Sequence, residues 1–150
     1  MTNKITPKFI SQLAEIHKTA FSPGWSADDF ASHIDLTSDD VLGVVEDGEI
    51  HGFVITRTAV DQAEILTIVV APEHLRKGLG QSLLRQAETC ALERGADVMF
   101  LDVAADNPAA IRLYAKNHYH QCGTRPRYYR REMNGKVGRV DAILYKKHLA

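Results

Sequence analysis

The stretch from Glu64 to Leu84, EILTIVVAPEHLRKGLGQSLL, constrains this chain more than any other. It reads as a buried strand, a short turn, a basic loop with two glycines and the start of an amphipathic helix. Ile65 to Val70 is apolar on both faces except at Thr67, the pattern of a strand covered on both sides. A strand that ends in a loop whose backbone N–H groups open a helix suits a phosphate-bearing ligand. Gly78 and Gly80 let the backbone come close to it, and Arg76 and Lys77 add positive charge. The loop is not a P-loop, because no Gly-Lys-Ser/Thr follows four variable residues. Nor is it a dinucleotide fingerprint, because Leu83 stands where the third glycine belongs. A Gly-x-Gly at a helix start can also be only a tight turn that needs small residues.

The chain around this stretch supplies one core. Its 150 residues suffice for a single domain, expected to span 1–150, with 45% apolar and 25% charged residues. A net charge of −1 gives no global attraction to nucleic acid or anionic membrane. No apolar run is long enough to span a bilayer, and MTNKITPKF lacks the apolar core of a signal peptide. Two cysteines, Cys90 and Cys122, exclude a disulfide framework. These features predict a cytoplasmic protein, a monomer or weak dimer, with neither nucleic acid nor membrane as partner.

Thr6-Pro7 reads as a helix start, with Phe9, Leu13, Ile16 and Ala20 on the inward face and Pro23-Gly24 as the stop. Ser26 to Asp29 resembles a capping box for a second helix that buries Phe30 and Ile34. Trp25 is a packing staple or one wall of a substrate site, the first being commoner for a lone Trp. Val41 to Val45 and Ile50 to Thr58 are strands joined around Asp47-Gly48, a hairpin signal, and Ala59 to Ala63 is a second turn. Leu79, Leu83, Ala87, Cys90 and Arg94 trace a helical stripe, with Leu84, Ala91 and Leu92 beside it, and Gly95 ends the helix. Val98 to Val103 is a further buried strand, and Asn107-Pro108 caps a short helix with Ile111 and Tyr114. Tyr119 to Tyr129 and Val140 to Lys147 form a last strand pair around Asn134-Gly135. This order predicts an α/β (α+β) fold with a mixed sheet.

The loop in its context resembles the GNAT N-acetyltransferase superfamily. The acetyl-CoA loop of that family has the pattern Gln/Arg-x-x-Gly-x-Gly/Ala; here it reads Leu75-Arg76-Lys77-Gly78-Leu79-Gly80, with Leu75 in place of Gln or Arg. Backbone N–H groups do most of the pyrophosphate binding in such loops, so Leu75 removes one side-chain contact and leaves the site. A closer resemblance runs from about Phe21 to the C-terminus. Ala20-Phe21, Trp25-Ser26, AEILTIVV, FLDVAADNPAAIRLY, RPRYY and VDAILY are similar to the bacterial ribosomal-protein-alanine N-acetyltransferases. That family usually has Glu where Asp102 stands and Gly-Phe where His118-Tyr119 stands. The resemblance implies a mostly antiparallel central sheet with helices on both faces, and acetyl-CoA as cosubstrate. It implies cofactor contacts along Ile68, Val69, Val70, Leu75, Arg76, Lys77, Gly78, Leu79, Gly80 and Gln81, with Asn107 on the pantetheine arm.

Amide formation from a thioester needs a neutral amine, a polarised carbonyl and a protonated leaving thiolate. An α-amine has a pKa of about 7.7–8.0 against about 10.4 for lysine, so a weak base acting through water suffices for an N-terminal acceptor. Asp102, in the family's base position within the apolar run FLDV, and Glu64, at the start of the neighbouring strand, are the candidate bases. A solvated strand end is the plainer reading of Glu64. By resemblance Tyr114 is the general acid; otherwise it is a helix-face core aromatic. Backbone N–H groups near Ile68 to Val70 would polarise the thioester carbonyl. Arg125 to Arg131 is basic with two aromatics and reads as a nucleic-acid contact, a solvated hairpin or, by resemblance, walls for a peptide N-terminus formed by Tyr128 and Tyr129. His118, His120 and Cys122 lack a fourth ligand, so no metal is expected. The resemblance implies transfer of the acetyl group by direct attack of a protein α-amine, with an N-terminal alanine of a small-subunit ribosomal protein as acceptor. A small-molecule amine or lysine acceptor, or a non-catalytic acyl-CoA-binding or interaction domain, are the alternatives.

Overall fold

Asp47 and Gly48 take left-handed backbone angles (φ 51° and 77°) and close the hairpin that starts the sheet. It joins β2 (Asp39–Glu46) to β3 (Glu49–Ala59), and Val60-Asp61 turns the chain into β4 (Gln62–Val70). The computed structural model describes residues 2–149. β1 (Thr2–Lys4) precedes these strands; β5 (Val98–Ala104), β6 (His120–Met133) and β7 (Lys136–His148) follow. All seven form one sheet in the order β1-β2-β3-β4-β5-β7-β6. Only β4 and β5 run parallel; the other pairs are antiparallel, as expected. No helix among the described residues is long and apolar enough to cross a membrane.

Helices cover both faces. α1 (Ile10–His17) and α2 (Ala27–Asp35) pack Leu13 and Phe30 against Phe53, Ile55 and Val69. Burying each such side chain stabilises the fold by about 1.5–3 kcal/mol. The capping box of α2 is formed: Asp29 N–H donates to Ser26 Oγ (3.1 Å) and Ser26 N–H to Asp29 Oδ2 (2.8 Å). α3 (Leu79–Glu93) and α4 (Pro108–Lys116) cover the other face over Leu42, Val54, Ile65, Met99 and Leu101.

Two expectations shift. The first helix does not reach Pro23-Gly24: a 3-10 turn at Pro7–Phe9 leads into α1, which ends at His17, and Ala20 is exposed. Trp25 N–H donates to His17 Nδ1 (3.0 Å), and the residues between them form a loop. The buried stripe of α3 is Leu83, Leu84, Ala87 and Ala91; Arg94 leaves it to chelate the buried Asp40 (2.6 and 3.1 Å). Asp39 beside it accepts from Arg57 (2.8 and 3.0 Å), His33 (2.8 Å) and Ser38 (2.9 Å). Burial alone would raise the Asp39 carboxyl; these bonds override it and hold the group below the usual carboxylate range.

The His118-Tyr119 departure also has a physical account. His118 follows α4 at φ 71°, a left-handed position where glycine is unstrained and another residue costs roughly 1–2 kcal/mol. The hydroxyl that Tyr119 adds to a buried ring donates to Glu88 (2.8 Å), which also accepts from Lys147 (2.9 Å). Nothing polar is therefore stranded by the larger residue.

Candidate active site

The sheet opens between its two parallel strands. β4 pairs with β5 from Gln62↔Val98 to Ile65↔Leu101 and then stops, although both strands continue. A β-bulge coincides with the break: Ile55↔Thr67 is followed by Thr56↔Ile65, so Leu66 is an extra residue on β4. Ile65 packs toward α3, whereas Leu66 lies with the α1–α2 core and Thr67 meets His17 there. A bulge bends its strand and ends pairing, which accounts for the split. From Leu66 to Val70, β4 has β3 on one edge and no strand on the other. A cleft of about 740 Å³ fills the gap, a size suited to a small ligand.

At one end lies the glycine loop. Arg76 (φ 64°) and Gly78 (φ 76°) are both left-handed, which curls the loop and turns successive N–H groups inward. Gly78 is the N-cap of α3, so no side chain caps this 15-residue helix, and its first turn holds no acidic residue. Its leading N–H groups, with the positive end of the helix dipole, are available to an anion. That fits the pyrophosphate of acetyl-CoA. Gly80 has a packing reason as well: a Cβ there would sit 3.3 Å from Leu113 of α4.

Of the residues expected at this end, Ile68, Val70, Leu75, Gly80, Asn107 and Tyr114 line the cleft. Leu75 is 56% exposed, so the side chain that departs from the family pattern sits at the rim. Arg76, Lys77, Gly78, Leu79 and Gln81 lie outside the lining; Lys77 Nζ stands 3.4 Å from His74 Nδ1. The side chain of Val69 is buried in the opposite core, so its expected contact would run through its backbone. The Asn107 carboxamide oxygen accepts from Ala110 N–H (3.2 Å) and caps α4, and the residue lines the cleft.

The candidate acid and bases meet in the same cleft. Tyr114 is 4% exposed, and burial pushes its hydroxyl far above the usual phenol range. It therefore keeps its proton at any ordinary pH. Glu64 and Asp102 both open onto the cleft. Partial burial, then the negative charge of Asp102, raises the Glu64 carboxyl above its ordinary value. Asp102 has Arg125 Nε at 3.9 Å, and Glu64 stands directly across from Arg57.

Trp25, Tyr128 and Tyr129, the residues expected as acceptor walls, also line the cleft. Trp25 serves both readings: it stacks between His17 (4.8 Å) and His33 (4.9 Å) and also lines the cleft. Tyr128 and Tyr129 stand edge to face at 5.1 Å, and burial foremost pushes the Tyr129 hydroxyl up to about 12. His17 was not visible as a site residue in the sequence, where a histidine on a helix carries no signal of its own. It is 1% exposed, stacks on Phe21 at 4.4 Å, and has both ring nitrogens engaged. Trp25 N–H donates to Nδ1 (3.0 Å), so Nε2 carries the hydrogen and donates to Thr67 Oγ1 (3.2 Å). One imidazole thus ties the loop before α2 to the bulged strand.

Burial holds the His17 pKa at about 4 against 6.5 unfolded, partly offset by the charge of Asp29. Above pH 6.5 both states are neutral and the group has no effect. As pH falls from 6.5 to 4 the unfolded chain takes a proton that the folded chain refuses. Stability should fall by on the order of 3 kcal/mol across that window and level off below it. Urea unfolding at stepped pH checks this: wild type should lose more stability than His17→Gln, and parallel pH curves would refute the assignment.

Residues 10–119 match the Acetyltransferase (GNAT) family. The chain belongs to this family. The ribosomal protein bS18-alanine N-acetyltransferase of Escherichia coli (strain K12) is 32% identical over 131 residues, 86% of this chain and 84% of the relative. The crystal structure of the ribosomal-protein-S18-alanine N-acetyltransferase from Escherichia coli superposes with a TM-score of 0.88 at 27% identity, over all of this chain and 94% of that one. The structure of yncA from Salmonella typhimurium, solved with acetyl-CoA, shares the fold at a TM-score of 0.83 and 20% identity, over all of this chain and 94% of that one. This GNAT protein is an acetyl-CoA-dependent N-acetyltransferase.

Proposed function

We propose that this GNAT enzyme acetylates the α-amine of a protein N-terminus, with the N-terminal alanine of a small-subunit ribosomal protein as its acceptor. The observation that carries the reading is the acceptor end of the cleft. Trp25, Tyr128 and Tyr129 line the same cleft as two carboxylates and a protonated tyrosine. The 32% identity to the bS18-alanine acetyltransferase supports the choice of acceptor.

Acetyl-CoA, when bound, supplies an activated thioester. The loop from Leu75 to Gln81 and the α3 N-terminus hold its pyrophosphate, and Asn107 faces its pantetheine arm. Backbone N–H groups of β4 beyond the bulge, around Ile68 to Val70, would polarise the acyl carbonyl. Glu64 and Asp102 draw the proton from the amine through a water, since roughly a tenth of α-amines are already neutral at pH 7. Tyr114 Oη gives its proton to the departing sulfur. The whole chain works as one catalytic domain in the cytoplasm, as a monomer or weak dimer.

A thiol-release assay tests the reading. Purified protein with acetyl-CoA should release CoA with a peptide that begins with Ala and not with its N-blocked form. A peptide whose only amine is a lysine side chain should react at least tenfold more slowly. Release only with the lysine peptide or a small amine would overturn the proposal.

A further inference from the structure

Three charged residues stand side by side across the sheet. Asp39 of β2 faces Arg57 of β3, and Arg57 faces Glu64 of β4. Directly facing residues share one face of a sheet, so the three form a negative–positive–negative ladder that ends at the cleft. Glu64 in turn is paired with Phe100 of β5, and Asp102 lies further along that strand on the same side.

Arg57 has two carboxylates within reach, because facing Cα atoms of an antiparallel pair are about 4.5–5.5 Å apart. It takes one of them. Its guanidinium chelates Asp39 through Nε (2.8 Å) and Nη2 (3.0 Å), and no ion pair joins it to Glu64 among the described residues. The choice has a physical cause. The Asp39 side chain has no exposed surface, and His33 Nδ1 (2.8 Å) and Ser38 Oγ (2.9 Å) fix its two oxygens. A buried and preset carboxylate attracts a guanidinium fork more strongly than one open to water. Glu64 is the open one. It lines the cleft and also a second hollow of about 340 Å³, where Arg57, Asp102 and Arg125 lie with it.

We propose that Asp39 is a positioning residue for the reaction: it keeps the Arg57 guanidinium off Glu64, so that Glu64 stays an unpaired base. This rests on the reading of Glu64 as a base. A carboxylate in a direct ion pair loses proton affinity, and proton affinity sets how well it draws a proton from an amine. Held on Asp39, Arg57 acts on Glu64 only across the strand gap. There it moderates the rise that burial and then Asp102 produce. Asp39 stays ionised, because its bonds hold its carboxyl below the usual range despite burial. The other titratable groups around Glu64 are Asp102 of β5, Arg125 and Tyr129 of β6, Tyr145 of β7, and His17 and His33 of α1 and α2. All of them are unchanged in every variant of the test.

The test follows the side-chain carboxyl carbon of Glu64 by NMR in isotope-labelled protein as pH is stepped, with Glu64→Gln to identify the signal. Arg57→Gln should lower the ionisation constant of Glu64 by about threefold, because a nearby positive charge is lost. Asp39→Asn should raise it by about tenfold, because Arg57 is released onto Glu64. The two variants thus move the titration in opposite directions, which a merely structural role would not do. With an acceptor peptide that begins with Ala, kcat of Asp39→Asn should fall by about threefold with KM for acetyl-CoA kept. Adding Arg57→Gln to Asp39→Asn should restore kcat, since no guanidinium is left to quench the base. If Asp39→Asn does not fold, Arg57→Gln against Arg57→Lys decides: the first should move the titration and the second should not. A Glu64 titration that stays in place in Arg57→Gln, or moves the same way in Arg57→Gln and Asp39→Asn, would overturn this inference alone. Undiminished turnover in Glu64→Gln would overturn the base reading and the role of Asp39 with it.

Discussion

Tyr114→Phe is expected to lower kcat by about 10²-fold while acetyl-CoA affinity changes less than about twofold. General acids contribute roughly 10²–10⁴. The low end applies because a thiol leaves with a pKa of about 8.5 and needs less help than an alcohol. The substitution removes one oxygen and keeps the ring that packs on Tyr119 (5.8 Å) and Tyr145 (6.4 Å), so the fold should persist. A general acid acts only while protonated, and burial raises the Tyr114 hydroxyl. Tyr114 therefore adds no alkaline fall in rate within the ordinary pH range. Steady-state thiol release at saturating acetyl-CoA, with cofactor affinity from calorimetry, measures both quantities. A wild-type rate would show that water or another group protonates the sulfur.

Asp102→Ala is expected to lower kcat by more than tenfold with cofactor affinity kept, and Glu64→Gln to do the same. If the two carboxylates act on one water, the double variant should lose less than the product of the single losses. The pH profile separates their roles. A base acts only when deprotonated, so activity is lost as pH falls through its pKa. Burial and then the charge of Asp102 raise Glu64, which sets the acid limb above the ordinary carboxylate range. Removing Asp102 takes away the second cause, so the acid limb of Asp102→Ala should move to lower pH. A limb that stays in place would remove Glu64 as the titrating base, and an undiminished kcat would remove Asp102 from the mechanism. Asp102→Glu restores the longer side chain usual in the family and should retain or raise activity, because an offset near 1 Å in a catalytic group can cost about 10²-fold.

The local elements were legible because each rests on nearest-neighbour chemistry. Asp47-Gly48 adopts the hairpin turn its residues favour, Ser26 and Asp29 make reciprocal cap bonds, and Gly95 (φ 94°) ends α3. The readings that failed involve side chains claimed by distant partners. Ala20 looked like the next step of a helical stripe, but His17 is bound by Trp25 and Thr67, one of them 50 residues away. Arg94 sat at helical spacing from Cys90, but Asp40, 54 residues away, takes it.

The same division holds at the site. The sequence by itself determined the glycine loop, the helix start beyond it, the cap at Asn107 and the positions of Tyr114, Asp102 and Tyr128-Tyr129. Each is a short motif whose chemistry lies in adjacent residues. Only the tertiary structure decided where these pieces meet. The bulge at Leu66 shows in no residue type; it appears in the register with β3 and separates β4 from β5 to make the cleft. The ladder of Asp39, Arg57 and Glu64 depends on how β2, β3 and β4 face one another, an order that exists only once the strands are aligned. Register, unlike propensity, is set by the whole sheet at once, which is why the cleft and its ladder of charges emerge from the fold.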